Sequence, residues 1–416
     1  MKQENVSSTV ESILNYFDVR DGRILIGGRP LESWATEYGT PLYVYDFQVV
    51  RKKISRFRSA FPSDVKLFYA VKANPNPALL KAMVPMVDGF DVASCGELKA
   101  VIQAGANPGE ISFAGPGKRR DELLHAVELG IGSINVESLR ELEILAELSS
   151  HDRPRPRVSI RVNPDFELHG SGMKMGGGPK PFGIDAELIP KVLEKIKGLP
   201  LDFQGFHIYA GSQNLQPHVL AETIERSLAL LARFSQHAPE MVKWLNLGGG
   251  FGIPYYDGDR ELDLELLGNR VSEIIKAYRH RFPAAQFIFE LGRYLVGESG
   301  IYLVRVLYRK VSRGKTFLVV DGGMNHHLAA SGNFGQILRK NFPIVTPKAA
   351  DLQQREKVDV VGPLCTPLDV LGSNISLPPL YEGDLIGILC SGAYGYTASP
   401  LQFLSHPLPA EVVIEN

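Results

Sequence analysis

In FYAVKANPNP, Lys72 ends an apolar strand-like run, which delivers a lysine into a turn rich in Pro and Asn. Apolar neighbours depress an ammonium pKa and favour a Schiff-base nucleophile, although a solvated lysine at a strand end fits the same residues. NLGGGFGIPYY holds Gly248, Gly249, Gly250 and Gly252. Successive glycines let backbone N–H groups close on an anion such as phosphate, and they also make a plain tight turn. FELGRYLV brings Glu290, Gly292 and Arg293 together. A carboxylate there could keep a cofactor ring nitrogen protonated and the arginine could add charge to a phosphate site, or each could belong to an ordinary ion pair. His207 and Tyr209, two apart, share a strand face, where they could stack on a cofactor or pack a core. Cys365 lies in VGPLCTPLDV, a Gly/Pro-framed loop in which a thiol is more open to reaction than in a core run. Tyr394, in GAYG, could offer a hydroxyl to an anion or plug a turn.

Chemistry of this kind needs elements that bring distant residues to one rim. From about residue 40 to about residue 290, short β-rich runs alternate with helical patterns in roughly eight cycles, the number that closes a (β/α)8 TIM barrel. The strand candidates are KLFYAV, DGFDV, ISFA, GSINV, RVSIRV, DFQGFHIY, KWLNL and AQFIFE. Several are continuously apolar, as strands buried on both faces should be. ELKAVIQAG, SLRELEILAEL and HVLAETIERSLALLARF space apolar residues as amphipathic helices do. Lys72, the glycine run and Glu290 fall at the ends of the first, seventh and eighth predicted strands, the face on which such barrels carry active sites. After about Tyr294 the texture changes to GIYLVRVLYRKV, KTFLVVDGG, KVDVVGP, DLIGILC and AEVVIEN. These runs predict a mostly antiparallel β domain, which RILIGG near the N-terminus could join.

The chain has 416 residues, enough for two or three domains or for one barrel with an appendage. Lys+Arg 45 against Asp+Glu 46 leaves a formal charge of -1, so no global basic field draws nucleic acid or an anionic membrane. Cys95, Cys365 and Cys390 suit neither a disulfide framework nor a zinc site. With no apolar stretch of spanning length and no apolar leader pattern, the sequence predicts a cytoplasmic protein without a metal centre.

Together these residues resemble the fold type III pyridoxal-phosphate enzymes, in the branch of the ornithine and diaminopimelate decarboxylases. Ordered matches run from GTPLYVYD at Gly39 through FYAVKAN, FDVASCGEL, SFAGPGK, INVES, RVNP, PFGID, AGSQ, NLGGGFG, FELGRY, VDGGM, VGPLCTPLDV and SGAYG. The resemblance implies an alanine-racemase-like barrel over residues 38–290, with residues 1–37 and 291–416 as a C-terminal β domain joined by the N-terminal segment. It implies that pyridoxal 5'-phosphate is held on Lys72, with Glu290 at the ring nitrogen and Asp91 and Arg161 around the lysine and the ring. Gly249, Gly250, Arg293, Tyr394 and Ser212 would hold the phosphate, Gly292 would be a further cofactor-binding residue, and Tyr209 or His207 would stack on the ring. It further implies a homodimer with shared active sites, in which Cys365 of one copy protonates the substrate carbon in the other, with Thr366 and Asp369 on the same substrate-facing loop.

The departures bear on substrate. Diaminopimelate decarboxylases carry Cys-Glu-Ser where this chain has Cys365-Thr366-Pro367, and an Arg-Pro stretch where it reads NHHLAASGNFGQIL. KMGGGPKPFG, YAGSQNL, GPLCTPLDVLG and SPLQFLSHPLP are similar to butirosin-type glutamyl-carrier-protein decarboxylases and to exosortase-associated decarboxylases. The resemblance therefore implies a decarboxylase of an L-amino acid or its conjugate, tethered in one reading to an acyl carrier protein. Decarboxylation of free diaminopimelate, ornithine or lysine is the alternative, and a cofactor-free binding regulator is a second one. GPGKRR could meet an acidic carrier, or simply be solvated.

Overall fold

The computed structural model describes residues 8–150, 152–166, 173, 174, 176–334, 336, 339–348 and 355–415. Met175 of KMGGGPKPFG and Gly335, Ile337 and Leu338 of NHHLAASGNFGQIL lie outside the described residues. The chain divides into two compact units, residues 54–252 with 262–292, and residues 1–53 with 253–261 and 293–416.

The first unit is the expected barrel. Its strands are β1 Val65–Ala70, β2 Gly89–Val92, β3 Ile111–Phe113, β4 Ser133–Val136, β5 Arg157–Asn163, β6 Asp202–His207, β7 Trp244–Gly249 and β8 Gln286–Leu291. Neighbours pair in parallel around the ring, and β8 closes on β1 with Glu290 opposite Phe68. The strands are apolar and buried on both sides because helices cover their outer faces. Helix Leu139–Leu148, for example, buries Leu142, Leu145 and Leu148, one stripe at three-residue spacing. Phe68, Trp244 and Ile288 form a buried apolar cluster. Other buried strand positions are polar and bond one another: Ser133 Oγ bonds Ser159 Oγ at 2.7 Å and Asn135 Nδ2 donates to Ser112 Oγ at 2.8 Å.

The second unit is a β domain whose sheet is mixed rather than wholly antiparallel. Gly300–Ser312 pairs antiparallel with Lys315–Val320, with Leu385–Ile388 and with Leu42–Asp46. Lys315–Val320 with Glu356–Val361, and Leu42–Asp46 with Ala410–Ile414, pair in parallel. The N-terminal segment that joins this sheet is LYVYD, buried at every position, because it brings apolar side chains to both faces. Arg23–Ile26 of RILIGG also belongs to this unit, where it forms a small three-stranded antiparallel sheet with Asp18–Arg20 and Arg29–Pro30 and bridges Lys348. No helix among the described residues is long and apolar enough to cross a membrane.

Candidate active site

The candidate site residues come from the last positions of the barrel strands and from the turns directly after them. Lys72 lies in the 3-10 turn Val71–Ala73 directly after β1. Its Nζ is 3.9 Å from Asp91 Oδ2 and 5.3 Å from the ring centre of Tyr209. The lysine side chain is 37% exposed, so its amine remains reachable. Asp91, on β2, is buried, and its Oδ1 makes no hydrogen bond. Burial, with Glu290 as the second cause, pushes Asp91 above the usual carboxylate range, against the pull of Lys72 and Arg161.

Glu290, on β8, is buried. Asn246 Nδ2 donates to its Oε2 at 2.8 Å, and His207 Nε2 lies 3.3 Å from the same oxygen. Burial alone would raise this acid. The adjoining His207, then Lys72 and the Asn246 bond, outweigh burial and bring it down to about 2. The acid is therefore held ionised in the barrel interior. Asn246 Oδ1 in turn accepts from Gly248 N at 2.9 Å, so one amide fixes both the acid and the start of the glycine turn.

That turn depends on missing side chains. Gly250 has φ +78°, a left-handed conformation, and a Cβ there would overlap the Gly211 carbonyl. Gly249 pairs with Glu290 across β7 and β8, and a Cβ on it would overlap the Glu290 carbonyl. Ser212 is buried beside Gly211, in a two-residue strand paired with Met173–Lys174. Gly292 packs on the lysine turn, where a Cβ would come within 2.8 Å of Ala73 Cβ. Arg161, at the end of β5, donates to Glu137 Oε1 at 2.8 Å.

Ten of the sequence-selected residues thus belong to the barrel unit: Lys72, Asp91, Arg161, His207, Tyr209, Ser212, Gly249, Gly250, Glu290 and Gly292. The other five belong to the β unit. There Arg293 donates to Tyr255 Oη at 2.8 Å and lies 4.6 Å over the Tyr394 ring. Tyr394 has φ +53°, so a non-glycine residue holds a left-handed turn to present its ring. Cys365 is an exposed free thiol. Thr366 Oγ1 accepts from Leu368 N at 3.3 Å. Asp369 is 2% exposed, and both its oxygens accept from backbone, from Met324 N at 2.6 Å and Leu364 N at 2.9 Å. Two residues that carry this geometry were missed by sequence reasoning, Asn246 and Glu137. The signal for Asn246 was a polar residue set in an apolar strand, WLNLGG, and for Glu137 an acid directly after the strand SINV.

The profile of the pyridoxal binding domain of pyridoxal-dependent decarboxylases matches residues 47–297. The chain belongs to that family. It is 40% identical over 384 residues to the L-glutamyl-[BtrI acyl-carrier protein] decarboxylase of Niallia circulans, covering 91% of this chain and 90% of that one. It is 34% identical to the diaminopimelate decarboxylase of Aquifex aeolicus, over 96% of this chain and 93% of the relative. The crystal structure of diaminopimelate decarboxylase from Helicobacter pylori complexed with L-lysine superposes with a TM-score of 0.81 at 28% identity, covering 92% and 94% of the two chains.

The residues of this decarboxylase suit pyridoxal phosphate. A reachable lysine faces a buried carboxylate with an oxygen to spare, an ionised acid is enclosed nearby, and a side-chain-free turn leaves backbone room for a phosphate. Among the described residues no cluster of His, Cys, Asp and Glu suits a metal ion. Lys118, offered by the sequence in a basic loop, is only 1% exposed, because its ammonium bonds Gly115 O, Asn135 O and Glu141. It cannot meet an acidic carrier; Arg119 and Arg120 remain exposed.

Proposed function

We propose that this enzyme removes the α-carboxylate of an L-amino acid whose side-chain end is uncharged, as in a glutamyl unit tethered to a carrier protein. The observation that supports this reading is the neutrality of the Cys365 loop and the segment clasped to it. In the loop, Thr366 turns its hydroxyl onto Leu368 N, and the one charged group, Asp369, spends both oxygens on backbone. In the segment, His326 and His327 are buried, and desolvation brings them down to about 4 and about 3, so both are neutral at pH 7. A free diamino acid would present a distal ammonium to a loop whose one carboxylate is already committed to backbone.

Bound at Lys72, pyridoxal phosphate supplies the electron sink for the pair left on the α-carbon when carbon dioxide departs. The protein's own part is positional. Asn246 and His207 hold Glu290 ionised, and that anion would serve the cofactor's ring nitrogen. His207 is engaged with Glu290, so the Tyr209 ring, beside Lys72 Nζ, is the aromatic face offered to the cofactor. Ser212 and the glycine turn, with Arg293 and Tyr394, are assigned to the phosphate. Cys365 Sγ is assigned the proton that completes the product, delivered from a second copy of the chain. In favour of a homodimer, Phe334, Leu368, Phe403, Leu404 and Leu408 of the β unit are exposed, Leu368 at 55%. Phe334 stacks on Tyr394, and its neighbour Asn333 bonds the Leu368 carbonyl. Exposed apolar side chains in such number suit a covered surface.

The test is mass spectrometry of the loaded enzyme incubated with free glutamate, ornithine, lysine and diaminopimelate, and in parallel with glutamyl-loaded carrier protein. Loss of carbon dioxide from the carrier-bound substrate alone is the expected result. Efficient turnover of a free diamino acid with an inert glutamyl carrier would overturn it.

A further inference from the structure

Four of the sequence runs, SFAGPGK, INVES, RVNP and PFGID, contain no residue to which a chemical step falls except Arg161. In the barrel they converge on one carboxylate. Glu137, one residue beyond β4, accepts from Gly115 N at 2.6 Å and Arg161 Nη1 at 2.8 Å on Oε1, and from Gly183 N at 3.0 Å on Oε2. Its own N–H donates to Glu141 Oε2 at 2.8 Å. Glu141 Oε1 pairs with Lys118 Nζ at 2.7 Å, and that ammonium also donates to Gly115 O at 2.7 Å and Asn135 O at 2.9 Å, which uses its three protons. Lys118, Glu141, Glu137 and Arg161 are therefore a buried knot of two cations and two anions.

Four buried charges are a poor device for stability alone, since well-packed apolar residues of similar volume usually do as well. The geometry gives the knot a direction. Arg161 is in register with His207 of β6, and in-register residues on parallel neighbours point to the same side of a sheet. His207 reaches Glu290 in the barrel interior, so Arg161 is turned to the same interior layer. The charged groups that meet Lys72 there are Asp91 from β2, Glu290 from β8 and Glu97 from the helix Cys95–Ala104, with the Tyr209 ring beside the amine. Arg161 is the cation that acts on Asp91 besides Lys72 itself.

We propose that Glu137, its carboxylate clamped by Gly115 N and Gly183 N against the Arg161 guanidinium, compensates that cation and so sets the net charge that Lys72 meets. This rests on the reading of Lys72 as the cofactor lysine only for its consequence in catalysis, not for its electrostatics. Without the Glu137 charge, Arg161 acts on the interior uncompensated and disfavours a protonated Lys72. Without Arg161, protonation is favoured. Removal of both leaves the balance nearly as it was.

The experiment compares the wild type, Glu137→Gln, Arg161→Gln and the double variant. In cofactor-free protein, the pH dependence of Lys72 acylation is read by peptide mass spectrometry; in loaded protein, the pH midpoint of the visible absorbance is recorded. Glu137→Gln should lower both midpoints by roughly half to one pH unit, the scale of a partly screened unit charge. Arg161→Gln should raise them, and the double variant should return to within a few tenths of a unit of wild type. A merely structural Glu137 would lower the melting temperature without this cancellation. An unmoved midpoint in folded Glu137→Gln, or a double variant that matches Arg161→Gln, overturns the proposal. If Glu137→Gln does not fold, the comparison of Arg161→Gln with the double variant decides it alone. Borohydride reduction of loaded wild type tests Lys72 as the cofactor lysine separately, because a missing adduct defeats that reading and leaves the acylation result intact.

Discussion

Asn246→Asp is the most informative single change in the barrel, because it alters charge and almost nothing else. The new side chain has the shape of the old one and still accepts from Gly248 N, but it places a carboxylate oxygen where Nδ2 now donates to Glu290 Oε2 at 2.8 Å. Two buried carboxylates at that separation cannot both be ionised, so the pair must hold one proton between them. In the wild type Glu290 is brought down to about 2, and this carboxylate exchanges no proton between pH 5 and pH 8. In the variant the folded state keeps a proton that the unfolded chain gives up near pH 4 to 4.5. The folded pKa is raised, so stability is present at low pH and lost as pH rises, at ~1.4 kcal/mol per pH unit for one proton. From pH 5 to pH 7 the variant should lose about 3 kcal/mol relative to wild type. Urea denaturation of both proteins across that range measures the difference, and the infrared band of a protonated carboxyl reports the proton directly. Turnover should fall about 10- to 100-fold, the equivalent of one charge-assisted hydrogen bond of ~1.5–3 kcal/mol. Parallel stability curves with no protonated-carboxyl band would refute the placement of Asn246 against an ionised Glu290.

Lys72→Ala should lower turnover by more than ~10³-fold, the scale of losing a group that forms a covalent link, and should abolish the borohydride adduct; an adduct retained elsewhere would relocate the cofactor lysine. Asp369→Ala leaves two buried backbone donors unmet at ~1–3 kcal/mol each. Its turnover and Cys365 alkylation rate should change together while cofactor affinity, measured by absorbance titration, holds; a loss of cofactor affinity alone would contradict a role in shaping the Cys365 loop. His327, which bonds Ser391 Oγ at 2.9 Å, is neutral until about pH 3 through burial. The folded state thus binds fewer protons than the unfolded chain between pH 3 and 6.5, and stability is lost as pH falls through that window at ~1.4 kcal/mol per unit. His327→Gln should flatten acid denaturation of the β unit, followed by urea midpoints at pH 7 and pH 4.5; an equal loss in both proteins would refute it.

The eight barrel strands were legible because strands buried on both faces are written as apolar runs, and each observed strand begins within a residue or two of its run. The β domain was less legible. LYVYD and RILI are both short apolar strands, and only the pairing partners supplied by distant chain decide that the first enters the large sheet while the second folds on its own neighbours. Parallel pairing of Thr316–Val319 with Val358–Val361 is invisible for the same reason. Lys118 looked like surface because it sits among Gly, Pro and Arg, yet its partners Gly115, Asn135 and Glu141 come from three different runs. Glu290 and Lys72 stood out by residue type at strand ends. Asn246 and Glu137 are distinguished only by their partners: Asn246 links Glu290 to Gly248 N, and Glu137 collects Gly115 N, Gly183 N and Arg161 from three separate runs.

The proposed preference for an uncharged side-chain end follows from what is missing as much as from what is present. A site reads a distal ammonium by supplying a fixed counter-charge, and the cost of burying that ammonium without one is several kcal/mol, enough for discrimination of about 10³-fold or more. Thr366 at the second position of the Cys365 loop satisfies its hydroxyl on backbone, and Asp369 cannot swing outward without orphaning Met324 N and Leu364 N. Placing Glu at position 366 would restore an anion on an exposed loop without touching Cys365 or Asp369. On this reasoning Thr366→Glu should raise turnover of a free diamino acid and lower that of a glutamyl carrier, measured as the ratio of the two products in one mixed reaction. An unchanged ratio would mean that the loop does not read the substrate's far end.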